Sequence, residues 1–497
     1  MARIAFVLTT CHEFEGVKVL SSVLKQHGHQ TDAFLTSEER DYAAAVLAFE
    51  PDVIGIYATT GQEAWPYPHI RRWKRELPHL KVVMGGPHPS HDLDPLYERD
   101  VVDATIKAEA EYALLDLVEA WSAGRSIREI PNVGWLGDDG QPVQNPIRPV
   151  VSDLDSLPFP DVDIFYKYPF LRNKRVLQIH ASRGCQNSCT YCSVGLMKKE
   201  WVSRKGEKFN RTKSVDYLCE EMNDILARYP GFRMINFGDA ALNMQHGWIQ
   251  EFAAKWPARV GLPFACNVNI NYLNEDDIAA LERAGCVSVQ FGLESGSEEV
   301  RLKVYKKGYT DDVVYGIPPL LRKHKLSYRT NNIMGGPAET LDDMFETVRV
   351  NKRIRPQGCT VLIYRAFKST VLGREDYRLG RVDLTKDIGP SIQHDSHMRR
   401  DDVKQVVNLQ KLFNLAVYVP GGIPLVQRLI RMPRNRAFEF CQLFFLWYQH
   451  AVVSGYGMKD DFLLGLKNIG QILQPTRSRQ PRESFLDHLD IGQDAAI

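Results

Sequence analysis

The chain has 497 residues, of which 44% are hydrophobic and 25% charged, and its 62 Lys and Arg nearly balance its 61 Asp and Glu. This length predicts two to four domains with sizeable cores. The charge balance excludes a global electrostatic attraction to nucleic acid or to an anionic membrane, so we expect neither partner. No uninterrupted apolar stretch is long enough to span a bilayer, and most cysteines are scattered singly, which predicts a cytoplasmic protein.

The first 128 residues alternate short apolar runs with stretches of helical periodicity. This rhythm predicts a doubly wound, Rossmann-like parallel sheet. Ligands of such sheets bind at the carboxyl ends of the strands, where the connecting loops lie. The apolar runs are Ile4–Leu8, Thr31–Leu35, Val53–Tyr57, Lys81–Met84 and Ala104–Ile106.

The loop after the fourth run reads Gly85-Gly86-Pro87-His88-Pro89. Paired glycines after a buried strand allow a ligand to approach the backbone closely. The loop after the fifth run carries Glu109 and Glu111. We expect a binding site where these loops meet, at the carboxyl edge of the sheet.

Residues 129–170 are predicted to form a hairpin and a linker. The hairpin turns at Asp138-Asp139-Gly140, and a stretch with two prolines and three acidic residues follows at 152–161. The βα rhythm resumes over residues 171–385, where six apolar runs alternate with helical stretches and predict six βα units. These runs are Val176–His180, Met234–Phe237, Phe264–Val268, Ser288–Phe291, Ser327–Met334 and Thr360–Tyr364.

Three cysteines, Cys185, Cys189 and Cys192, follow the first run of this region with C-x3-C-x2-C spacing. Three thiolates on one short loop can hold three corners of an iron–sulfur cube and leave one iron open. The alternative is a zinc knot. It needs four ligands, and no second cysteine or histidine pair follows at the usual spacing.

Taken together, these features resemble the radical S-adenosylmethionine (SAM) enzymes that carry a cobalamin-binding domain, namely the class B type methyltransferases and their relatives. The resemblance implies that the six βα units form a partial (β/α)6 barrel of the TIM type. It implies a [4Fe-4S] cluster on the three cysteines, whose open iron chelates SAM. It also implies SAM contacts at the ends of the later strands. The implied contacts are Tyr191, Gly238, Asp239, Asn267, Gln290, Glu294 and Gly335.

The resemblance implies cobalamin in the first domain, because the family often has the same Gly-Gly-Pro-His-Pro loop. The family's Gly-Glu-Gly-Glu turn is here Ala108-Glu109-Ala110-Glu111, which is a departure. Trp65 is a candidate to shield the lower face of the corrin. The alternative is that Trp65 is a partly buried aromatic residue at the surface. The implied cobalamin contacts are Gly16, Thr59, Thr60, Trp65, Gly85, Gly86, Pro87, His88 and Glu109.

Residues 386–497 are predicted to be largely helical, with aromatic residues concentrated near Phe444 and a polar tail after Pro475. These helices either cap the open barrel or form the wall of a pocket for a large apolar substrate. A basic run after the cysteines is either a solvated face or a docking surface for an anionic group. It comprises Lys198, Lys199, Arg204, Lys205, Lys208, Arg211 and Lys213.

The family resemblance implies methylation of an unactivated carbon of a small or apolar substrate, through a 5′-deoxyadenosyl radical and methylcobalamin. It implies a reductant such as flavodoxin or ferredoxin. Oxidative cyclisation or rearrangement without methyl transfer is the alternative within the family. A non-catalytic corrinoid or iron–sulfur sensor is a third hypothesis, but a sensor has no need of the ordered SAM motifs around Glu294 and Gly335.

Overall fold

The computed structural model describes residues 1–9, 12–202, 207–386 and 396–449. The predictions for Arg204, Lys205 and the polar tail therefore lie outside the described residues. Within the described part of the chain, no helix combines the length and apolar character that crossing a bilayer requires.

A seven-stranded sheet forms the N-terminal part, with strand order β2-β1-β3-β4-β5-β6-β7. The first five strands are parallel, and β6 and β7 add an antiparallel hairpin to the edge. The strands are β1 (Arg3–Leu8), β2 (Gln30–Leu35), β3 (Val53–Tyr57), β4 (Lys81–Gly85), β5 (Ala104–Ile106), β6 (Val133–Leu136) and β7 (Pro142–Gln144). The helices are α1 (Glu15–Gln26), α2 (Tyr42–Ala48), α3 (Tyr67–Glu76) and α4 (Glu111–Ser122).

This topology confirms the predicted doubly wound fold. Because β1 lies between β2 and β3, the connections reverse direction there, and a crevice opens at the carboxyl ends of these strands. The hairpin that we predicted within the connector extends the first sheet. The exact domain boundaries stay predictions.

A second sheet of six parallel strands has the order β15-β14-β13-β12-β11-β8 and does not close on itself, as a partial barrel requires. Its strands are β8 (Val176–Ile179), β11 (Met234–Phe237), β12 (Phe264–Asn267), β13 (Cys286–Glu294), β14 (Ser327–Met334) and β15 (Gly358–Ile363). A separate two-stranded ribbon pairs β9 (Ser182–Arg183) with β10 (Arg211–Thr212). The predicted partial barrel is confirmed.

Helices precede, connect and follow the barrel strands. They are α5 (Asp163–Tyr166), α6 (Pro169–Arg172), α7 (Val194–Trp201), α8 (Val215–Arg228), α9 (Trp248–Arg259), α10 (Glu275–Arg283), α11 (Asp311–Lys323), α12 (Leu341–Ile354) and α13 (Val371–Arg378). Several begin at local caps. For example, the Thr340 side chain accepts the Asp343 N–H and Asp343 bonds back to Thr340, a capping box that starts α12.

The C-terminal helices are α14 (Val403–Tyr418), α15 (Gly422–Leu429) and α16 (Arg436–Tyr448). Buried residues of α14, such as Leu409 and Phe413, pack with Met334 and Val361 of the barrel. Phe440, in contrast, is 73% exposed on α16. The described C-terminal helices therefore cover the β15 side of the barrel, and the two cavities described below are lined by other parts of the chain.

One hydrophobic core continues from the first sheet into the barrel. It includes Leu24 of α1, linker residues Phe165 and Tyr166, and Met222 of α8. The linker thus packs as part of the core. This continuity fixes the carboxyl edge of the first sheet against the start of the barrel.

Candidate functional site

A cavity of about 700 Å³ lies between the carboxyl edge of the first sheet and the ribbon β9–β10. Of the residues predicted to contact cobalamin, Gly16, Gly85, Gly86 and Glu109 line it. The opposite wall comes from the barrel side and includes His180 and Arg183. The carboxyl edge is where doubly wound sheets bind their ligands, so the cavity lies in the place that the topology predicts.

The glycines on this wall leave room for a ligand at the backbone. A Cβ added to Gly85 or to Gly16 would meet no protein atom within 4 Å. Gly86 is different, since its φ is +103° and an added Cβ would lie 2.9 Å from the Ala58 carbonyl oxygen. The fold therefore requires glycine at position 86. At Gly16 and Gly85, in contrast, the absence of a side chain leaves space in the cavity. The open space at Gly16 and Gly85 fits a ligand that lies directly against the backbone, as the corrin of cobalamin would.

The remaining predicted contacts lie outside this lining. His88 Nε2 is 2.8 Å from Asp94 Oδ1, and its Nδ1 is 3.3 Å from Thr60 Oγ1. Thr59 donates its hydroxyl to Gln62 at 3.1 Å, and Pro87 is absent from the cavity lining. Trp65 packs against Tyr42, with ring centroids 6.0 Å apart, in the core on the other face of the sheet.

Two buried ion pairs lie at the cavity, since Glu15 and Lys213 line it and are paired with Lys18 and Glu221 outside the lining. Of these four residues the sequence analysis singled out only Lys213. Lys18 Nζ lies 2.9 Å from Glu15, and Lys213 Nζ lies 2.6 Å from Glu221. Burial opposes ionisation of Glu15, but Lys18 and Lys213 outweigh it and hold the pKa well below its usual range. A sequence signal exists only for Lys18, which lies on the buried face of α1 one turn after Glu15.

The cysteine loop is anchored to the barrel at Thr190. The Thr190 hydroxyl donates to the Val304 carbonyl at 2.6 Å, and its N–H donates to the Tyr305 carbonyl at 3.1 Å. Cys189 is buried, while Cys185 and Cys192 are partly exposed. Burial raises the pKa of Cys189 to about 11, and Lys307 acts in the opposite direction.

Burial also raises the pKa of Cys192, and the charge of Cys185 acts in the same direction. Among the described residues, no three sulfur, imidazole or carboxylate groups converge tightly enough for a single metal ion. A cube makes a different demand, because its three thiolates bind three separate irons. The loop supplies the three thiols that a cube requires. The positive charge of Lys307 acts against the burial that raises the pKa values of Cys189 and Cys192.

Lys307 connects the cysteine loop to the end of β13. Its Nζ lies 3.0 Å from Glu294 Oε1 and 3.4 Å from the Tyr191 hydroxyl. Burial opposes the charged form of Lys307, but Glu294 outweighs it and raises the pKa. Tyr191 and Glu294, both predicted to contact SAM, are thus brought together next to the cysteines.

A second cavity of about 360 Å³ lies inside the barrel, and its lining is polar. Three of the predicted SAM contacts line it, namely Gly238, Asn267 and Gln290. Asp239 faces another way, since its carboxylate accepts the Ala181 N–H at 3.1 Å and the Ser182 hydroxyl. In this structure Asp239 holds the segment that leads to the cysteine loop.

Gly335 belongs to a turn that is organised by a buried carboxylate. The N–H groups of Gly335 and Gly336 donate to Glu339 at 2.8 Å and 3.3 Å, and the Ser295 hydroxyl donates to it at 3.2 Å. Burial raises the pKa of Glu339 to about 8. Glu339 thereby joins the ends of β13 and β14, a role that the sequence analysis missed.

A doubly wound domain facing an open six-stranded barrel with a cysteine loop defines a class of cofactor-dependent radical enzymes, and comparisons agree with it. The model of the B12-binding domain matches residues 4–118, and that of the radical SAM superfamily matches residues 179–350. The chain belongs to the radical SAM superfamily and carries an N-terminal B12-binding domain. It is a cobalamin-dependent radical SAM enzyme whose cofactors are a [4Fe-4S] cluster, SAM and cobalamin.

Two curated relatives are similar over much of the chain. An uncharacterised methyltransferase of Pyrococcus horikoshii is 27% identical, over 63% of this chain and 67% of the relative. The anaerobic magnesium-protoporphyrin IX monomethyl ester cyclase of Rubrivivax gelatinosus is 23% identical, over 72% of this chain and 65% of the relative. The chain thus spans about two thirds of the length of these proteins.

A solved structure has the same fold over nearly the whole chain. The cobalamin-dependent SAM radical enzyme OxsB, with aqua-cobalamin and SAM bound, superposes with a TM-score of 0.69 at 16% identity. The match covers 98% of this chain and 78% of OxsB.

Proposed function

We propose that this enzyme transfers a methyl group to an unactivated carbon of a small or apolar substrate. The observation that carries the proposal is the position of the 700 Å³ cavity. Arg183 and Gly184 form part of its wall, and Cys185 is the next residue along the chain. A methyl donor held in this cavity would be adjacent to the site of radical formation. The similarity to a curated methyltransferase supports this choice.

In this proposal Cys185, Cys189 and Cys192 hold the cluster, and the backbone at Gly16, Gly85 and Gly86 lies against cobalamin. When bound, these groups and SAM supply one-electron cleavage and a transferable methyl group. The protein positions the reactants and limits water at the site.

The residues near the cluster have more specific roles in this proposal. Burial raises the pKa values of Cys189 and Cys192, and the charge of Lys307 offsets part of this effect in favour of the thiolate forms. Glu294 and Tyr191 contact SAM from the end of β13 and from the cysteine loop. Gly238, Asn267, Gln290 and the Gly335 turn complete the SAM site.

Oxidative cyclisation or rearrangement without methyl transfer is the second candidate function. The similarity to the magnesium-protoporphyrin IX monomethyl ester cyclase, which covers more of this chain than the methyltransferase match does, favours it. Both functions use the same cofactors and differ in what the substrate radical does next. A small acidic electron donor such as flavodoxin or ferredoxin is proposed for either.

The test uses protein reconstituted anaerobically with cluster and cobalamin, then supplied with reductant and methyl-deuterated SAM in an extract of the source cells. Mass spectrometry follows 5′-deoxyadenosine, S-adenosylhomocysteine and any metabolite that gains the labelled methyl group. Both coproducts together with a labelled metabolite are expected for methyl transfer. The Cys189→Ala variant, which removes one cluster ligand, is the control and should form no deoxyadenosine while still binding cobalamin.

Other results would refute the proposal in distinct ways. Deoxyadenosine with an altered but unlabelled metabolite would establish cyclisation or rearrangement in place of methylation. No deoxyadenosine from protein with a verified full cluster would contradict the radical mechanism itself.

A further inference from the structure

Four charged residues join the cavity of the first domain to the ribbon that precedes the cysteines. Glu109 lies in the β5–α4 loop and Glu111 is the first residue of α4, while Arg183 and Arg211 lie directly opposite each other on β9 and β10. We call these four residues the interdomain clamp. All four line the 700 Å³ cavity.

The clamp is a connected set of ion pairs with little exposure to solvent. Arg183 lies 2.6 Å from Glu111 and 3.2 Å from Glu109, and Arg211 lies 2.8 Å from Glu109. The side chains of Glu111 and Arg211 are each 5% exposed. The Val151 N–H also donates to Glu109 at 2.7 Å. The carboxylate of Glu109 is thus occupied by protein donors, which makes it a positioning group more than a direct ligand contact.

The ribbon depends on these carboxylates because of its own charge. Like charges directly opposite each other on an antiparallel pair repel, and Arg183 and Arg211 form such a pair. The ribbon has only two residues in each strand, so its own ladder contributes little. The compensating negative charge comes from another domain, from Glu109 and Glu111.

Movement of the ribbon would be transmitted directly to the first cluster cysteine. Gly184 alone separates Arg183 from Cys185, and its φ is +95°. A Cβ added there would collide with the Phe209 carbonyl and lie 2.8 Å from Asn210 Oδ1. The backbone at Gly184 is therefore packed tightly against the segment that leads into β10, and we expect a displacement of the ribbon to displace Cys185.

We propose that the interdomain clamp couples cobalamin binding to cluster binding. The wall of the cavity includes Ala108 and Ala110, which flank Glu109, and Ala108 has a φ of +70°. A ligand against these residues restricts the loop that carries both carboxylates, which holds the ribbon and Cys185 in their cluster-binding arrangement. The inference rests on the proposed function only in assigning this cavity to cobalamin.

Thermodynamic linkage makes the coupling measurable at the cobalamin site. If cobalamin favours the cluster-bound loop, the cluster must tighten cobalamin binding by the same factor. The experiment measures the Kd of cyanocobalamin by equilibrium dialysis for the full chain with and without its reconstituted cluster. We expect the cluster to lower the Kd about tenfold, a typical coupling between sites. Bound cyanocobalamin should likewise slow iron loss to a chelator, measured as iron retained after gel filtration.

The Glu111→Gln variant removes one charge from the clamp and should abolish both effects while cobalamin still binds. Glu111→Asp keeps the charge and should retain part of the coupling. The matched control is Asp116→Asn, which removes an ion pair outside the clamp. The Asp116 carboxylate lies 2.5 Å from Arg148, and the Asp116 side chain is 44% exposed. This control should behave as the wild type.

Equal Kd values with and without the cluster in the wild type would overturn the proposal. Undiminished coupling in Glu111→Gln would also overturn it, because the clamp would then carry none of the effect. A wild-type chain that binds no cyanocobalamin in either state would overturn the cobalamin assignment as well, which separates failure of the proposed function from failure of the coupling.

Discussion

Gly85 and Gly86 are adjacent in sequence, yet alanine at the two positions should have opposite consequences. At Gly86 the added methyl group lies 2.9 Å from the Ala58 carbonyl oxygen, on a backbone with a φ of +103°. A left-handed backbone costs an L-residue about 1–2 kcal/mol, and the close contact adds to that cost. We expect Gly86→Ala to destabilise the protein without cofactors by about 2–3 kcal/mol.

At Gly85 the same methyl group meets no protein atom within 4 Å. Gly85→Ala should therefore leave the stability of the cofactor-free protein unchanged or raise it by about 0.4–1 kcal/mol, because alanine reduces the entropy of the unfolded chain. The methyl group would instead occupy space at the ligand. Overpacking of this kind costs about 1–3 kcal/mol, which corresponds to an increase in the Kd for cobalamin of about 5- to 150-fold.

The assay combines thermal unfolding of the cofactor-free variants, followed by circular dichroism, with equilibrium dialysis against cyanocobalamin. The reasoning is refuted if Gly85→Ala binds cyanocobalamin as tightly as the wild type. It is equally refuted if Gly86→Ala unfolds at the wild-type temperature, because the close contact would then have no cost.

Two further predictions concern buried charges at the carboxyl ends of the barrel strands. Lys307→Met leaves the Glu294 carboxylate buried without its cation and should destabilise the fold by about 3–5 kcal/mol. Combining it with Glu294→Gln should cost less, because no buried charge then lacks a partner. Thermal unfolding compares the two variants, and a double variant as unstable as the single one would contradict the prediction. Because the pKa of Glu339 is raised from 4.5 to about 8, the native state retains a proton that the unfolded state releases, so Glu339 makes stability fall as the pH rises from about 4.5 to about 8. Glu339→Gln should flatten that part of the pH–stability profile in urea denaturation, and an unchanged slope would show that Glu339 is ionised throughout this range.

Local patterns in the sequence determined the fold class and the chemical class. The parallel strands could be predicted because buried strands read as short apolar runs, and the observed bounds differ from those runs mostly by one or two residues, although β13 extends to Cys286–Glu294. The cysteine loop could be predicted because three ligands on one short loop need no long-range information. Gly85 and Gly86, at the end of β4, were informative for the same reason.

The tertiary structure decided how charged and polar side chains are used, because their partners lie far away in the sequence. Glu109 matched a family turn, yet it pairs with Arg183 and Arg211 across the domain boundary. Asp239 was predicted as a SAM contact, yet its carboxylate holds Ala181 and Ser182.

Trp65 shows the same limit for an aromatic side chain. It lies in a loop next to the predicted site, yet it packs with Tyr42 on the other face of the sheet. Sequence periodicity specifies which element a residue belongs to. The direction in which a loop side chain points is set only when distant elements pack together, and so is the charge that it meets. The same packing placed the 700 Å³ cavity beside the ribbon that leads to Cys185.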